Sequence, residues 1–346
     1  MRRSGTVTQH WQRDEPTFYN FLALERNPLD APDILAGLSG ALMSTDPKSG
    51  AFTYVLNLPA GFKGRTDANL ASLEFFVLSG DLSLNGEQAG AGCYLHLPQL
   101  GGGGEISSRA GATAIAFWNP NLPSYAYPVT RNRVIKTWEK PWTPSIPGTC
   151  GGVMHKSLRL PDPVPHPNDE GFDGGPGGYI RFQYIEPNMI ARDEHVHHEC
   201  WEEIIVLQGD VFLINEGQMG IGSVVGHPQE WYHAPFVSRS GALIMVHTDG
   251  PMGFPWPPRE YPEADKLCAC YLETATFETP TEHIPWDEHP IAAMQEASSE
   301  YQAWRKSPEG QKWGGYEDTT EVPALPGGRG TQSEYRASWR RHSQSD

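Results

Sequence analysis

Apolar residues come in short runs along this chain, each soon cut off by glycine, asparagine or proline. The stretches AFTYVLNLP, LEFFVL, DLSLN, CYLHLP and ATAIAFW are either continuously apolar or alternate apolar with polar. Alternation places successive side chains on opposite faces of an extended chain, so these runs predict strands with one or both faces buried. Further along, GGYIRFQYIEP, EIIVL, VFLIN and GALIMVH predict a second set. A helical period is convincing in PIAAMQEASSEYQAWRK, where Pro290 suits a first turn and Ile291, Met294, Tyr301 and Trp304 recur at helical spacing. The pattern predicts an all-β chain with a short C-terminal helix.

The two sets of strands are one set repeated. Residues 74–92, EFFVLSGDLSLNGEQAGAG, match residues 203–222, EIIVLQGDVFLINEGQMGIG. Both run from Glu through an apolar stretch to a Leu-x-Gly-Asp turn, an alternating strand, Asn and a Gly-x-Gly. Gly92 to Pro98 then has the spacing of Gly222 to Pro228, and Gly111 corresponds to Gly241. Repeated short strands with Gly-rich corners predict two small barrels or jelly rolls, which limit open sheet edges. The N-terminal barrel is placed at 1–120 and a Pro/Gly-rich inter-domain segment, with a strand-like piece in RNRVIKTW, at 121–178. The C-terminal barrel is placed at 179–260, and an extension carrying the helix and a tail at 261–346.

Composition narrows the function. With 346 residues and 38% hydrophobic content the chain can build a sizeable core. A net charge of −16 argues against nucleic acid and anionic membranes as partners, because both need basic patches. No stretch approaches the roughly 20 apolar residues of a membrane-spanning helix, and the N-terminus lacks the apolar core of a secretory signal. The five cysteines are scattered and odd in number, unlike a disulfide framework. A cytoplasmic location is expected.

The chemistry gathers in HVHHECWEEIIVLQG, residues 195–209. His195 and His197 are two apart, so on an extended chain they share a face. Glu202 follows at the start of an apolar strand, and His233 ends PQEWYH one hairpin later. Three imidazoles and a carboxylate converging inside a barrel make a donor set for a divalent transition metal, with positions left for water, oxygen or substrate. Ile204 and Val206 share the strand face of Glu202 and Trp231 that of His233, so these three are expected to line a substrate pocket, with core packing as the plainer alternative. Arg181 and Gln183 alternate on one face of YIRFQY. They could orient an anionic or carbonyl substrate, although such residues more often lie on a solvated face.

The spacing His-x-His-x4-Glu-x6-Gly followed by Gly-x5-Pro-x4-His resembles the cupin superfamily, and the repeat resembles a bicupin. The resemblance implies that His195, His197, Glu202 and His233 are the metal ligands. Glu230 stands where a glycine is usual and Val237 where an asparagine often closes the motif, neither at a ligand position. In the first repeat the ligand positions hold Thr66, Ala68 and Leu73, with the third histidine's place near Gly103. That unit is expected to be a degenerate, metal-free cupin, with His96 as packing or surface. Glu74 and Glu203 correspond, which favours a structural role for both.

The resemblance implies one metal per chain, Fe(II) in first place with Zn, Mn or Ni as alternatives. The leading expectation is an Fe(II) dioxygenase using O2 on a small aromatic, enolic or dicarbonyl substrate. Two alternatives stay open: a non-redox isomerase, lyase or decarboxylase, with Tyr232, Glu230 or His247 as acid or base, and a zinc-binding sensory cupin of the ChrR type. Family habit points to a homodimer.

Overall fold

The computed structural model describes residues 12–14, 16–29, 33–67, 71–99, 101–120, 131–140, 143–144, 153–159, 178–185, 189–190, 200–213, 217–229, 236–238 and 241–250. The helix expected near 290–306 lies outside these described residues. Among them strands dominate, and the helical elements are short 3-10 turns. No helix among them is long and apolar enough to cross a membrane.

The first half runs through β1 (Thr17–Asn20), β2 (Asn27–Pro28), β3 (Ser39–Asp46), β4 (Ala51–Leu58), β5 (Phe62–Thr66) and β6 (Ser72–Leu84). It continues with β7 (Glu87–Gly90), β8 (Cys93–Leu97), β9 (Gly104–Ser108), β10 (Ala112–Asn119) and β11 (Arg133–Lys136). The second half holds β12 (Thr143–Pro144), β13 (Val153–Ser157), β14 (Ile180–Ile185), β15 (Met189–Ile190) and β16 (Glu202–Gly209). It ends with β17 (Val211–Leu213), β18 (Gly217–Met219), β19 (Ser223–His227), β20 (Phe236–Ser238) and β21 (Ala242–Thr248).

One large sheet has the order β11-β8-β6-β10-β4-β3-β2, and a second the order β1-β19-β16-β21-β14-β13-β12. A smaller sheet, β15-β20-β17-β18, lies over the second; β5, β7 and β9 serve the first in the same way. The repeat read in the sequence recurs in the register. Ala112 pairs with Gly80 across β10 and β6, and Ala242 with Gly209 across β21 and β16. Each pairing then carries a bulge, at Thr113/Ala114 in one and Val206/Gln208 in the other. The amide of Gly92 donates to the Val77 carbonyl at 2.8 Å, and that of Gly222 to Val206 at 2.8 Å.

In the first unit the Gly-Asp pair does not make the expected turn. Instead of ending a strand there, β6 runs continuously from Ser72 to Leu84. Gly80, at φ +82°, bends the strand without stopping it, and a Cβ at this position would sit 2.0 Å from the Gly111 carbonyl oxygen. Only glycine tolerates both that φ and that approach.

Each barrel has its own interior. Leu56, Leu73, Phe75, Leu97 and Ile106 are among the side chains filling the first, and Ile185, Val206, Met219, Val225 and Val246 among those filling the second. The opposite faces of the two large sheets pack together through Phe76, Phe117, Phe182, Ile205 and Met245. The rings of Phe76 and Phe182 meet edge to face at 5.2 Å.

This inter-sheet layer also holds Glu74 and Glu203, at corresponding places. Arg159 grips both oxygens of Glu74 at 2.6 Å, and the Tyr94 hydroxyl donates to the same carboxylate. Burial would raise the Glu74 carboxyl, but Arg159, His96 and these hydrogen bonds outweigh it and hold the group below its ordinary range. Glu203 accepts from the Thr53 hydroxyl at 3.0 Å, and burial pushes it up to about 7 despite the nearby charge of Arg13. His96 is buried and bonded to Ser72 at 2.8 Å.

Strand pairing crosses the boundaries expected from sequence. β1, from the first 120 residues, adds to the edge of β19. β11 and β13 both come from the expected inter-domain segment, yet β11 extends the first sheet and β13 the second.

Candidate functional site

Alternation along β16 sorts its side chains into two sets. Glu203, Ile205 and Leu207 face the other large sheet, where Ile205 and Leu207 join the shared core. Ile204 and Val206 face the interior of the C-terminal barrel, and Glu202 shares their face. Glu202 is buried at this interior, opposite His227 on β19 and Thr248 on β21. Its Oε2 lies 3.2 Å from Nδ1 of His227, itself buried. The Thr248 hydroxyl donates to the Gly250 carbonyl and accepts from the Tyr179 amide, both at 3.0 Å.

The start of β16 is held firmly. The Trp201 amide donates to Asp249 Oδ1 at 3.0 Å, and the Asp249 amide donates to the Trp201 carbonyl at 3.3 Å. Arg13 from the N-terminal arm lays its guanidinium 3.9 Å over the Trp201 ring and 4.0 Å from the Asp249 carboxylate. Glu202 thus hangs from a backbone segment clamped on both sides, which restricts where its carboxylate can go.

Comparison with the first barrel shows what is special here. The register places Leu73 where Glu202 stands and Leu97 where His227 stands. Leu73 and Leu97 are core residues of the N-terminal barrel. A carboxylate and an imidazole therefore stand where the first barrel has a leucine pair. Burying such a pair costs free energy unless the groups are satisfied. Glu202 and His227 are also donor types that a metal site uses, and a carboxylate–imidazole contact is a familiar way of orienting a ligand.

Of the residues singled out from sequence, Glu202, Ile204 and Val206 come together in this barrel. His195, His197, Trp231 and His233 lie outside the described residues, as do Tyr232 and Glu230. Among the described residues no group of three or more His, Cys, Asp or Glu is gathered for a metal. His247, considered as an acid or base, is on the wrong face. Its ring stacks edge-on to Phe117 at 4.5 Å and Trp201 at 5.4 Å, in the layer between the sheets. Its neighbour Thr248 takes the inward position, because a strand can send only every second side chain into the barrel.

His227 was not singled out from sequence. Its signal was present in the repeat, where GSVVGHP aligns with GCYLHLP and sets His227 against Leu97. In the first unit, Leu73 packs in the core and Gly103 sits at φ +91°, where a Cβ would be 2.4 Å from the Thr66 carbonyl oxygen.

No protein-family model matches the chain, and no curated protein matches it either. Solved structures do. A candidate dioxygenase from Nostoc punctiforme is 18% identical, with a TM-score of 0.58 over 74% of this chain and 90% of that one. A candidate glyoxylate-induced protein from Pseudomonas aeruginosa is 13% identical, with a TM-score of 0.53 over 72% of this chain and 95% of that one. An oxalate decarboxylase from Bacillus subtilis is 12% identical, with a TM-score of 0.43 over 70% of this chain and 79% of that one. At such identities it is the architecture that is shared: this chain has an all-β, cupin-type jelly-roll fold.

Proposed function

We propose that the chain is a bicupin with a metal-dependent enzyme centre in its C-terminal barrel, and that Glu202 is a ligand together with His195, His197 and His233. The observation that carries this reading is the buried Glu202–His227 pair, set where the other barrel has Leu73 and Leu97. Polar groups are costly in a barrel interior, so a pair confined to one of two matched interiors marks the barrel that does chemistry. The division proposed is the one read from sequence, a structural barrel at 1–120, a connecting segment at 121–178, the metal barrel at 179–260 and an extension at 261–346, with β1, β11 and β13 pairing across these lines.

Within this reading the reaction is a dioxygenation of a small aromatic, enolic or dicarbonyl compound, with Fe(II) as the metal. The likeness to the Nostoc candidate dioxygenase supports that choice as analogy of fold. When bound, iron supplies the binding and redox chemistry for substrate oxygens and dioxygen. The chain's own residues do the rest. His227 orients the Glu202 carboxylate, and the clamp of Trp201 and Asp249 fixes the strand that carries it. Ile204, Val206, Val225 and Val246 make an apolar wall that keeps water from that side of the site.

The test is elemental analysis of full-length protein purified anaerobically without added metal. About one iron per chain is expected, and Glu202→Ala should lose it while keeping the far-UV circular dichroism of the wild type. Full metal occupancy in Glu202→Ala overturns the site. Zinc or manganese in the wild type, without oxygen uptake on enols and phenols, moves the reaction to Lewis-acid chemistry.

A further inference from the structure

The backbone of the N-terminal arm belongs to the first large sheet, yet one of its side chains serves the second. Gln12 forms a parallel bridge to Thr45 on β3, and the Arg13 amide donates to the Thr45 carbonyl at 2.9 Å. The Arg13 side chain then crosses to the C-terminal barrel, with its guanidinium 3.9 Å over the Trp201 ring and Nη1 4.0 Å from Asp249. Trp201 precedes Glu202, and Asp249 follows Thr248, the residue paired with Glu202 across β16 and β21. Arg13 therefore touches both residues that fix the start of β16, one peptide away from the Glu202 carboxylate.

The matched place in the first barrel is built differently. Leu73 pairs with Trp118 there as Glu202 pairs with Thr248, so Ser72 stands for Trp201 and Asn119 for Asp249. Ser72 is bonded to His96 at 2.8 Å. The counterpart of His96 is Gly226, and Trp201 Nε1 lies 3.7 Å from the place a Cβ at Gly226 would take. A serine and an asparagine offer neither a ring face nor a charge to a guanidinium. The aromatic ring, the carboxylate and the arginine that joins them occur beside the barrel that carries the Glu202–His227 pair.

As a plain stabilising contact this arrangement is a poor one. The Arg13 side chain is 4% exposed, its distance of 4.0 Å to Asp249 exceeds a hydrogen bond, and its Nε has no hydrogen-bond partner among the described residues. A buried charge so loosely paired costs free energy. What the contact supplies is constraint. A planar guanidinium on an indole face fixes the plane of the ring, and its charge holds the Asp249 carboxylate that accepts from the Trp201 amide. Trp201 and Glu202 are consecutive, so a fixed Trp201 fixes the origin of the Glu202 side chain.

We propose that Arg13 is a positioning residue for the centre of the C-terminal barrel, holding Trp201 and Asp249 and, through them, the Glu202 carboxylate. This rests on Glu202 being a metal ligand. It makes the N-terminal arm a working part of a barrel that begins more than 150 residues later in the chain. The action of Arg13 runs through Trp201 and Asp249, not through contact with substrate.

The experiment compares full-length wild type, Arg13→Met and Arg13→Lys by hydrogen exchange and by loading with cobalt(II). In Arg13→Met, amide exchange over residues 200–206 should rise about tenfold, the effect of losing one desolvated cation–aromatic contact, while the matched residues 72–77 exchange as in wild type. Its cobalt should show an altered visible spectrum and pass to EDTA about tenfold faster. Arg13→Lys, which keeps the charge over the ring, should restore much of both. Wild-type exchange at 200–206 in Arg13→Met, or an equal rise in both barrels, overturns the proposal. So does a local rise that leaves the cobalt spectrum and release unchanged, because Arg13 then supports the fold alone. Should Arg13→Met not fold, Asp249→Asn keeps the acceptor for the Trp201 amide and removes the charge facing Arg13. It must show the same local rise, and wild-type exchange there overturns the proposal. Wild-type protein that takes up no cobalt sinks the metalloenzyme reading instead, and exchange at 200–206 then decides alone whether Arg13 holds Glu202.

Discussion

Glu74 and Arg159 show how much a single buried contact can demand. Both are buried, and the guanidinium meets the carboxylate through two bonds of 2.6 Å. Removing one partner leaves an uncompensated charge in a dry layer, whereas removing both leaves no buried charge, only packing and the Tyr94 hydroxyl that had donated to Glu74. Arg159→Met should therefore lower stability by about 3–5 kcal/mol in urea unfolding, and Glu74→Leu/Arg159→Met by clearly less. A double variant as unstable as the single one would show that the ion pair itself contributes net stability. The residue scale is also where sequence reading was least informative. The pairing of Glu74 with Glu203 was visible as a repeat and correctly led to a structural role, but Arg159 was not, because its partner lies 85 positions away. His227 has no distinguishing local pattern as a histidine before a proline, and its one signal is its place opposite Leu97 in the repeat.

At the scale of elements, the strands were legible because alternation is a local property of the chain. β4, β6, β8, β10, β14, β16 and β21 all fall on runs that predict them. β1, β3 and β13 were not read out, since their pattern is weak and each is fixed by the strand it joins. The turn between β6 and its expected continuation failed for a specific reason: Gly-Asp is a turn signal, but a glycine bulge serves bending as well as stopping. Gly209, at φ +73°, is the counterpart of Gly80, and a Cβ there would sit 1.8 Å from the Gly241 carbonyl oxygen. Gly86 has φ +85° and nothing within 4 Å. Gly209→Ala should thus cost more than the roughly 1–3 kcal/mol of the left-handed backbone alone, and Gly86→Ala only that amount. Thermal unfolding of the two variants compares them directly, and equal losses would remove the close approach as the cause.

For the whole molecule, the layer between the sheets and the flank of the C-terminal barrel set the response to acid. Burial pushes His96 down to about 4 and His155 to about 3, below the ordinary 6.5. In the unfolded chain these groups take up protons near pH 6.5, while the folded protein does not until pH 4 or lower. The stability they contribute is complete above pH 6.5 and is lost as pH falls toward 4. Glu203 works in the opposite sense, because its folded value of about 7 exceeds the ordinary 4.5. The folded state keeps that proton between pH 4.5 and 7, so its share of stability declines as pH rises through that window. His247, held well below its ordinary range by burial, acts in the same sense as His96 and His155, so three histidines oppose one glutamate and the melting temperature should fall from pH 6.5 to pH 4. His96→Gln should flatten that fall, and an unchanged slope would exclude His96 as a source.

By itself the sequence determined the strands, their duplication and the crowd of donors at 195–209, because periodicity, repeated spacing and motif are all carried by neighbouring residues. The tertiary structure decided which strands join which sheet, which face each side chain takes and which distant charges meet. Those depend on register and on closure of the barrels, which bring β1 beside β19 and set Glu202 and His227 around the same interior. A one-residue change of register would have turned both of these side chains outward.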